Sequence, residues 1–326
     1  MKRVDFLIKK NKPKQSLVYD SYWKFAAERQ EIFFRKINNE DSPWTKDKVL
    51  NDFKFTNVYR ATDRVSQFLI KNVIYKGDQN PTEVIFRILL FKIFNKIETW
   101  KTIEKNVGVI SYANYHYENL NKILGDARKQ GVSIYSGAYI MASPNEYGYA
   151  LKHQNHLKLI EQIISSGLPE KIGNIKSIES LFNHLLVYPS IGPFLAYQYA
   201  IDINYSNLTK FSEMEFVKAG PGAKDGIRKC FSDLGEYSEE DIIRMMADNQ
   251  NEEFERLSLS FKNLWGRQLQ LIDCQNLFCE VDKYLRVTNP EVKSLSNRKR
   301  IKQKYKQSSL ETIRYFFPAK WKLEIS

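Results

Sequence analysis

The sequence predicts an all-α protein. Apolar and aromatic residues recur at helical spacing over several long segments, while glycine and proline are concentrated in a few short stretches. A hydrophobic content of 43%, with 13% aromatic residues, is enough for a folded core. We therefore expect one compact unit over residues 1–326. Its parts are an N-terminal helical extension (1–50), a helical lobe (51–166), a hairpin segment (167–240) and C-terminal helices with a basic tail (241–326).

The first half of the chain predicts three helices. Residues 21–37 mix aromatic and basic side chains at helical spacing, and a turn follows in which Ser42 and Pro43 could begin a short helix. Residues 55–75 predict a second helix. Residues 80–100, with Thr82 as the expected cap, predict a third helix that is apolar on most sides and therefore central to the core.

The second half predicts further helices separated by irregular pieces. Residues 131–143 are rich in β-branched, aromatic and small residues and could form a strand or a glycine-interrupted link. Helical patterns follow over 151–166, 177–187 and 238–248, and residues 255–287 predict one or two long helices.

Composition excludes several classes of protein. Three cysteines are too few for a disulfide framework or for a four-cysteine metal site within one chain. The four histidines show no metal-ligand spacing, so we expect neither a metal nor a cofactor. No apolar run reaches the ~18 residues of a membrane span, and the N-terminus lacks the apolar core of a secretory signal. We therefore expect a monomer in the reducing cytoplasm.

The net charge of +12 makes a polyanionic partner a strong candidate. A basic run near the C-terminus could follow DNA phosphates, or could be a solvated helix face. The run comprises Arg298, Lys299, Arg300, Lys302, Lys304 and Lys306.

The stretch YPSIGPFLA, residues 188–196, has the spacing of a helix-hairpin-helix turn. In such a turn Gly192 lets the backbone approach a DNA phosphate, and the N–H groups of the new helix, around Phe194, point toward that phosphate. Ser190 stands where glycine is usual, which requires either a less demanding φ or some strain. The alternative is an ordinary corner between two helices.

A second glycine-rich stretch, AGPGAKDG over residues 219–226, follows the hairpin. Gly220, Gly222 and Lys224 could bring backbone and charge to a sugar or phosphate, or could form a tight loop before a helix. Asp225 could cap that helix or act as a catalytic acid.

The hairpin resembles that of the helix-hairpin-helix DNA glycosylases, which implies their fold of two helical lobes around a cleft. In those enzymes a catalytic acid follows the hairpin at the start of the next helix, and the matching window here contains Glu213 and Glu215. Glycosylases that also cut the strand carry a lysine at the start of the second hairpin helix. Phe194 fills that position here, which implies base excision without strand cleavage.

A narrower resemblance covers nearly the whole chain. Five stretches, in order, resemble the α-glutamyl/putrescinyl-thymine pyrophosphorylase family: FTNVYRATDRVSQFLI, FRILLFKIFNKIETW, YPSIGPFLAYQYAIDINYS, EFVKAGPGAKDGI and LIDCQNLFCEVDKY. Relatives of this family include the helical domain attached to 5-hydroxymethyl-deoxyuridine DNA kinases, and at least one is an anti-phage glycosylase of glucosylated hydroxymethylcytosine. The resemblance implies work on modified bases of phage DNA.

The resemblance gives Asn57, Arg60 and Asp63 a role in a base pocket, where their spacing would put them on one helix face; a surface ion-pair face is the alternative. Asp202, beside Gln198 in an apolar helix, needs a partner, which could be Arg60, Arg87 or a base edge. Further candidates for the pocket are four polar residues of one late helix: Gln275, Asn276, Glu280 and Lys283. Tyr135 and Tyr139 could stack on an extruded base, and core packing is the alternative for both.

These observations lead to three hypotheses, all with double-stranded DNA containing modified bases as the partner. The first is an anti-phage glycosylase that excises a hypermodified pyrimidine, with Glu215, Glu213 or Asp225 stabilising the sugar cation. The second is a transferase that replaces pyrophosphate on an activated 5-hydroxymethyl-uracil with an amine or amino acid. The third is a module that only binds modified DNA.

Overall fold

The computed structural model describes residues 11–137, 141–305 and 314–325. Those residues form fourteen α-helices and one two-stranded antiparallel sheet, so the predicted all-α class is confirmed. They pack as two compact units. The first contains the described parts of 1–63, 216–314 and 323–326, and the second those of 64–215 and 315–322. The N-terminal extension and the C-terminal helices, which the sequence placed in separate parts, therefore share one unit.

Short 3-10 turns occur at four places in the described chain. Two helices open the first unit: α1 (Asp20–Ile37) and α2 (Lys48–Asp52). The second unit contains eight: α3 (Arg64–Phe68), α4 (Pro81–Phe94), α5 (Ile97–Val107), α6 (Tyr117–Lys129), α7 (Lys152–Ser165), α8 (Leu168–Lys171), α9 (Ile178–Leu185) and α10 (Pro193–Asn204). The first unit is completed by α11 (Pro221–Cys230), α12 (Glu239–Asp248), α13 (Gln250–Arg256) and α14 (Leu271–Thr288), with the sheet of β1 (Lys14–Gln15) and β2 (Phe231–Asp233). No described helix is both long and apolar enough to cross a membrane.

Helix α14 is the centre of the first unit. It packs against α11 at very short range, because a Cβ on Gly226 of α11 would lie 2.0 Å from the carbonyl oxygen of Phe278. Tyr22 of α1 covers the other side of Phe278, with ring centroids 4.6 Å apart. A glycine is therefore required where the two helix backbones meet.

Helix α4 is the centre of the second unit, as its all-round apolar pattern predicts. Asn80 caps it by accepting from the Glu83 amide at 3.0 Å, so Asn80 takes the capping role expected of Thr82. The carboxylate of Glu83 is buried and accepts from Ser111 Oγ and from the amides of Tyr112 and Ala113 at 2.8–3.0 Å. The loop before α6 is thereby fixed against α4.

Two predicted helices are corrected by the structure. Residues 55–75 do not form one helix: an extended segment leads into a 3-10 turn at Arg60–Thr62, then α3 and a π-helical turn at Leu69–Ile74. Asn57 contributes to this break, because its side-chain amide donates to the Thr62 carbonyl at 2.9 Å and offers the backbone an alternative to helical pairing. Pro43 does not begin a helix, and residues 255–287 contain one long helix, α14.

The close contact between α11 and α14 gives a direct test. Gly226→Ala should lower the free energy of unfolding by about 3 kcal/mol or more, because its Cβ meets backbone that cannot move aside. Gly125→Ala in α6 is the control: a Cβ there meets no described atom within 4 Å, so it should raise stability by ~0.5–1 kcal/mol through helix propensity. Chemical denaturation measures both, and equal effects would contradict the assigned contact.

Candidate active site

A polar cluster in the first unit gathers four of the residues that the sequence assigned to the base pocket. The Asn57 amide donates to Asp63 Oδ1 at 2.8 Å, and Arg29 Nη2 donates to Asn57 Oδ1 at 2.7 Å. The Asp63 carboxylate and the Asn57 amide are thus fixed by the turn they belong to. We call this group, with Glu280 and Lys283 described next, the Asp63 cluster.

Helix α14 supplies the other side of the cluster. Glu280 Oε2 accepts from the Thr56 amide at 3.0 Å and pairs with Lys283 Nζ at 2.6 Å. The Lys283 ammonium also lies 5.3 Å from the centre of the Phe55 ring. The predicted spacing of Glu280 and Lys283 along one helix face therefore brings both to the segment that carries Asp63.

The charge state of Asp63 is the most unusual property of this cluster. Burial raises the pKa of Asp63 to about 7, and the nearby Glu280 carboxylate adds to the rise, whereas the Asn57 amide, Arg29 and Arg60 oppose it. A carboxyl group with a pKa near neutrality can both accept and return a proton at physiological pH. Asp63 is therefore a suitable general base or acid.

Arg60 is attached to the same helix through its backbone. Its amide donates to Asp273 Oδ1 at 2.8 Å, while Asp273 Oδ2 accepts from the Gln270 amide at 3.0 Å and caps α14. Arg60 does not share a helix face with Asn57 and Asp63, because residues 57–63 are not one helix. The three residues still meet, through a turn in place of a helix.

Two other residues predicted for the pocket on α14 have different surroundings. Gln275 is fully buried, and its Nε2 lies 3.3 Å from Cys279 Sγ. Asn276 is half-buried on the same helix. Their assignment to a base pocket stays a prediction.

The three acids predicted for catalysis lie in different settings. Glu213, which is buried, and Glu215, which is exposed, lie in a turn well before α11 and not at a helix start. Asp225 lies inside α11, so it does not cap that helix; it accepts from the Ser296 amide at 2.9 Å and pairs with Arg298 at 2.7 Å. Burial alone would raise the pKa of Asp225, but the bonds from Ser296 and Arg298 outweigh it and lower that pKa. Asp225 thus fixes residues 296–298.

The glycine-rich stretch owes part of its composition to packing. Gly222 faces Cys279, whose Sγ would lie 3.0 Å from an added Cβ, so this glycine allows α11 to approach α14. Gly220 is the buried first boundary of α11. Lys224 is half-buried and close enough to Glu239 to help lower the pKa of that carboxyl group.

The predicted pocket residues of the second unit have partners in its core. Asp202 pairs with Lys92 at 3.0 Å, and Gln198 is buried on the same helix. A hydrogen bond of 2.8 Å joins the Tyr135 hydroxyl to His156 Nδ1. Lys152 Nζ lies 4.4 Å from the centre of the Tyr135 ring. Tyr135 is half-buried, and its assignment to a base pocket stays a prediction. Tyr139 and Lys306 lie outside the described residues.

The hairpin of the second unit joins α9 to α10. Ser190, which stands where glycine is usual, has a φ of +60°. Its backbone is therefore held in the left-handed region, at a cost of ~1 kcal/mol. Gly192 is exposed, no side chain caps the start of α10 there, and a Cβ on it would meet no described atom within 4 Å. The surface above the first turn of α10 is open on the protein side.

Sequence reasoning missed Arg29 and Lys92, the cations that hold Asn57 and Asp202. Both lie on helices whose neighbouring residues are apolar or aromatic. A charged residue on such a face needs a buried partner, and that signal could have identified them. Among the described residues no group of three or more histidine, cysteine, aspartate and glutamate side chains could hold a metal ion.

The sequence profile of the family described as "5-hmdU DNA kinase, helical domain" matches residues 16–294. The chain belongs to this family. The 5-hmdU DNA kinase of Bacillus phage SP10 is 29% identical over 288 residues, which are 82% of this chain and 45% of that kinase. The chain therefore spans less than half the length of this relative. No solved structure matches. The matched region of the helical-domain family includes the Asp63 cluster, the hairpin and both α11 and α14.

The raised pKa of Asp63 predicts a pH dependence of stability. Between pH ~4 and 7 the folded protein keeps a proton that the unfolded chain has released, so the free energy of unfolding should fall as pH rises through this range. Asp63→Asn removes the charge of the half-buried carboxylate and should stabilise the protein above pH ~7 by at least about 1 kcal/mol.

Denaturant unfolding at a series of pH values measures this effect. The exposed Asp41, changed to Asn, is the control and should leave the profile unchanged. Lower stability of Asp63→Asn at alkaline pH would contradict the assigned pKa.

Proposed function

We propose that this chain processes DNA that carries a 5-substituted uracil, and that it does so by substitution at the exocyclic carbon with the base left in place. The observation that carries the proposal is the Asp63 carboxyl group, which accepts from the Asn57 amide at 2.8 Å close to the charges of Arg29, Arg60 and Glu280 and has a pKa of about 7. The family description, and the name of the phage relative, supply the modified base as the substrate class.

The chemistry fits the charges of the cluster. The incoming amine would attack the exocyclic carbon of an activated 5-hydroxymethyl-uracil, its proton would pass to the Asp63 carboxylate, and the carbon–oxygen bond to pyrophosphate would break. A departing pyrophosphate is strongly anionic, and the cations beside Asp63 can stabilise the charge that develops on it. The glycosidic bond is untouched in this reaction.

The second candidate is excision of the modified base by a glycosylase. Its support is the hairpin, whose open Gly192 and uncapped helix start suit a DNA phosphate. It ranks second because Glu213 and Glu215 do not begin a helix, and because Asp225 is engaged by Ser296 and Arg298. A module that only binds DNA is the third candidate, since the chain spans less than half of the phage kinase.

Asp63→Asn separates catalysis from binding. With a duplex that contains pyrophosphorylated 5-hydroxymethyl-uracil and an amine, the rate should fall at least ~100-fold, because the general base is lost. The rate of the parent should rise with pH through about 7, where Asp63 releases its proton. Asp41→Asn is the control.

Mass spectrometry of the nucleosides, together with release of pyrophosphate, identifies the product. An amine-substituted thymine supports the proposal. An abasic site indicates the glycosylase, and unchanged nucleosides with intact DNA binding indicate the binding module; either result overturns the substitution.

The hairpin gives an independent prediction for DNA binding. Gly192→Asp should keep the fold, because aspartate is a good helix cap and the site has room, yet it places a negative charge where a phosphate would lie. The dissociation constant for duplex DNA should rise roughly tenfold, equivalent to ~1.4 kcal/mol. Gly192→Asn, a neutral cap of the same size, is the control and should change it less than about threefold. Equal affinities of the two variants would contradict the phosphate contact.

A further inference from the structure

The basic run that follows α14 is anchored along its length to the first unit. The segment from Ser296 to Tyr305 contains no helix, and its last residues pair antiparallel with residues that follow α2. Four hydrogen bonds anchor it. The Ser296 amide donates to Asp225 (2.9 Å) and the Tyr305 amide donates to the Asp52 carbonyl (2.9 Å). The Arg300 carbonyl accepts from the Arg286 side chain (3.1 Å) and the Gln303 carbonyl accepts from the Lys54 amide (3.0 Å). The run is therefore held in place, although it lies outside a regular element.

The cations of this segment are exposed and lack acidic partners. Arg298 forms an ion pair with Asp225. Among the described residues, no carboxylate pairs with Lys299, Arg300, Lys302 or Lys304. The Lys304 ammonium lies 4.0 Å from the centre of the Phe53 ring, which is an aromatic contact and leaves its charge uncompensated. Unpaired cations on an anchored backbone are preorganised for an anionic ligand.

The half-buried Lys36 extends the same positive surface. Lys36 Nζ lies 4.3 and 4.7 Å from the ring centres of Trp44 and Tyr305, and it donates to Tyr305 Oη at 3.2 Å. Burial and the charge of Arg29 lower the pKa of Lys36 to about 8. Basic and aromatic side chains thus alternate from Arg300 to Lys36, as on surfaces that follow a nucleic-acid backbone.

We propose that Arg300, Lys302 and Lys304, with Lys54 beside them, form a basic strip that binds the phosphodiester backbone of DNA. The strip rests on the proposed function in that it takes DNA as the partner. Its strand partner, residues 52–54, continues directly into Thr56 and Asn57, so a bound backbone would run next to the Asp63 cluster of the same unit. Arg300, Lys302 and Lys304 lie after residue 294, where the match to the family profile ends.

The alternate positions of the three cations suit this role. Lys304 lies in an antiparallel bridge with Phe53. Where a chain is extended, alternate side chains project to the same side, ~6.6 Å apart, which is a spacing that suits contacts of residues 300, 302 and 304 with successive anionic groups. Phosphate contacts carry no sequence information. The strip should therefore add affinity equally to modified and unmodified DNA.

The test replaces the three cations together, as Arg300→Gln/Lys302→Gln/Lys304→Gln. The matched control, Lys101→Gln/Lys105→Gln/Lys122→Gln, removes the same charge from exposed positions on α5 and α6. Fluorescence anisotropy would measure the affinity for duplex and single-stranded DNA, with and without a modified base, over a series of salt concentrations. Melting temperatures of all variants check the fold.

The strip variant should bind roughly tenfold or more weakly than the parent, and its log–log salt slope should be smaller by roughly 3, about 1 for each lost phosphate contact. The control triple should change the affinity less than about threefold. A loss confined to single-stranded DNA would identify a displaced strand as the source of the phosphates, and a loss on duplex would identify the helix itself.

Three results would overturn the strip. Equal DNA affinity of the strip variant and the control triple would do so while leaving the proposed function intact. Loss of binding to anionic lipid vesicles, with DNA affinity unchanged, would assign the strip to a membrane surface. A parent protein that binds no DNA would overturn the proposed function and the strip together. Loss of the substitution reaction in Asp63→Asn, with normal DNA affinity, would concern the Asp63 cluster and not the strip.

Discussion

Two carboxylates of α14 hold the segment on which the candidate site depends. Asp273 and Glu280 are seven residues apart, which places them two turns apart on one helix face, and they accept from the amides of Arg60 and Thr56. This pair of contacts keeps residues 56–60 extended or in a 3-10 turn, although their apolar spacing favours a continuous helix. Hydrogen bonds from backbone amides to ionised carboxylates contribute ~1.5–3 kcal/mol each, which is enough to outweigh helix propensity over so few residues. Asp63 then lies within reach of Glu280, and the cluster exists only in this arrangement.

Helix α14 can serve as this support because it is fixed on its other faces. Gly226 allows α11 to touch its backbone, and Asp282, fully buried, pairs with Lys229 at 3.1 Å and with Arg286. Removal of one partner of such a buried pair costs several kcal/mol, so the register between α11 and α14 is strongly specified. Rigid elements hold side chains more accurately than loops, and α14 is such an element for the candidate site.

Segments after the family match complete both units. In the first unit the basic strip pairs with residues 52–54. In the second, the ammonium of Lys320 donates to the carbonyls of Ser206 and Thr209 at 3.1 and 2.8 Å, and also to Asn204, so a cation stabilises the chain just past the end of α10. Trp321 adds an edge contact to Tyr205, with ring centroids 5.5 Å apart. Residues beyond the matched range thus contribute charge and anchoring to the helical framework.

The sequence by itself determined the all-α class, the central position of α4, the hairpin between α9 and α10, and the family, because these depend on local spacing and on short motifs. It also selected Asn57, Arg60, Asp63, Glu280 and Lys283 as candidates. Only the tertiary structure decided which of them meet, because hydrogen bonds from α14 override the local helix signal of residues 55–63. It also decided that Asp202 pairs with Lys92 and that Asp225 holds residues 296–298, since a buried charge takes whichever partner the packing brings to it. The unusual pKa of Asp63 has the same origin: burial and a neighbouring carboxylate arise only when distant parts of the chain come together.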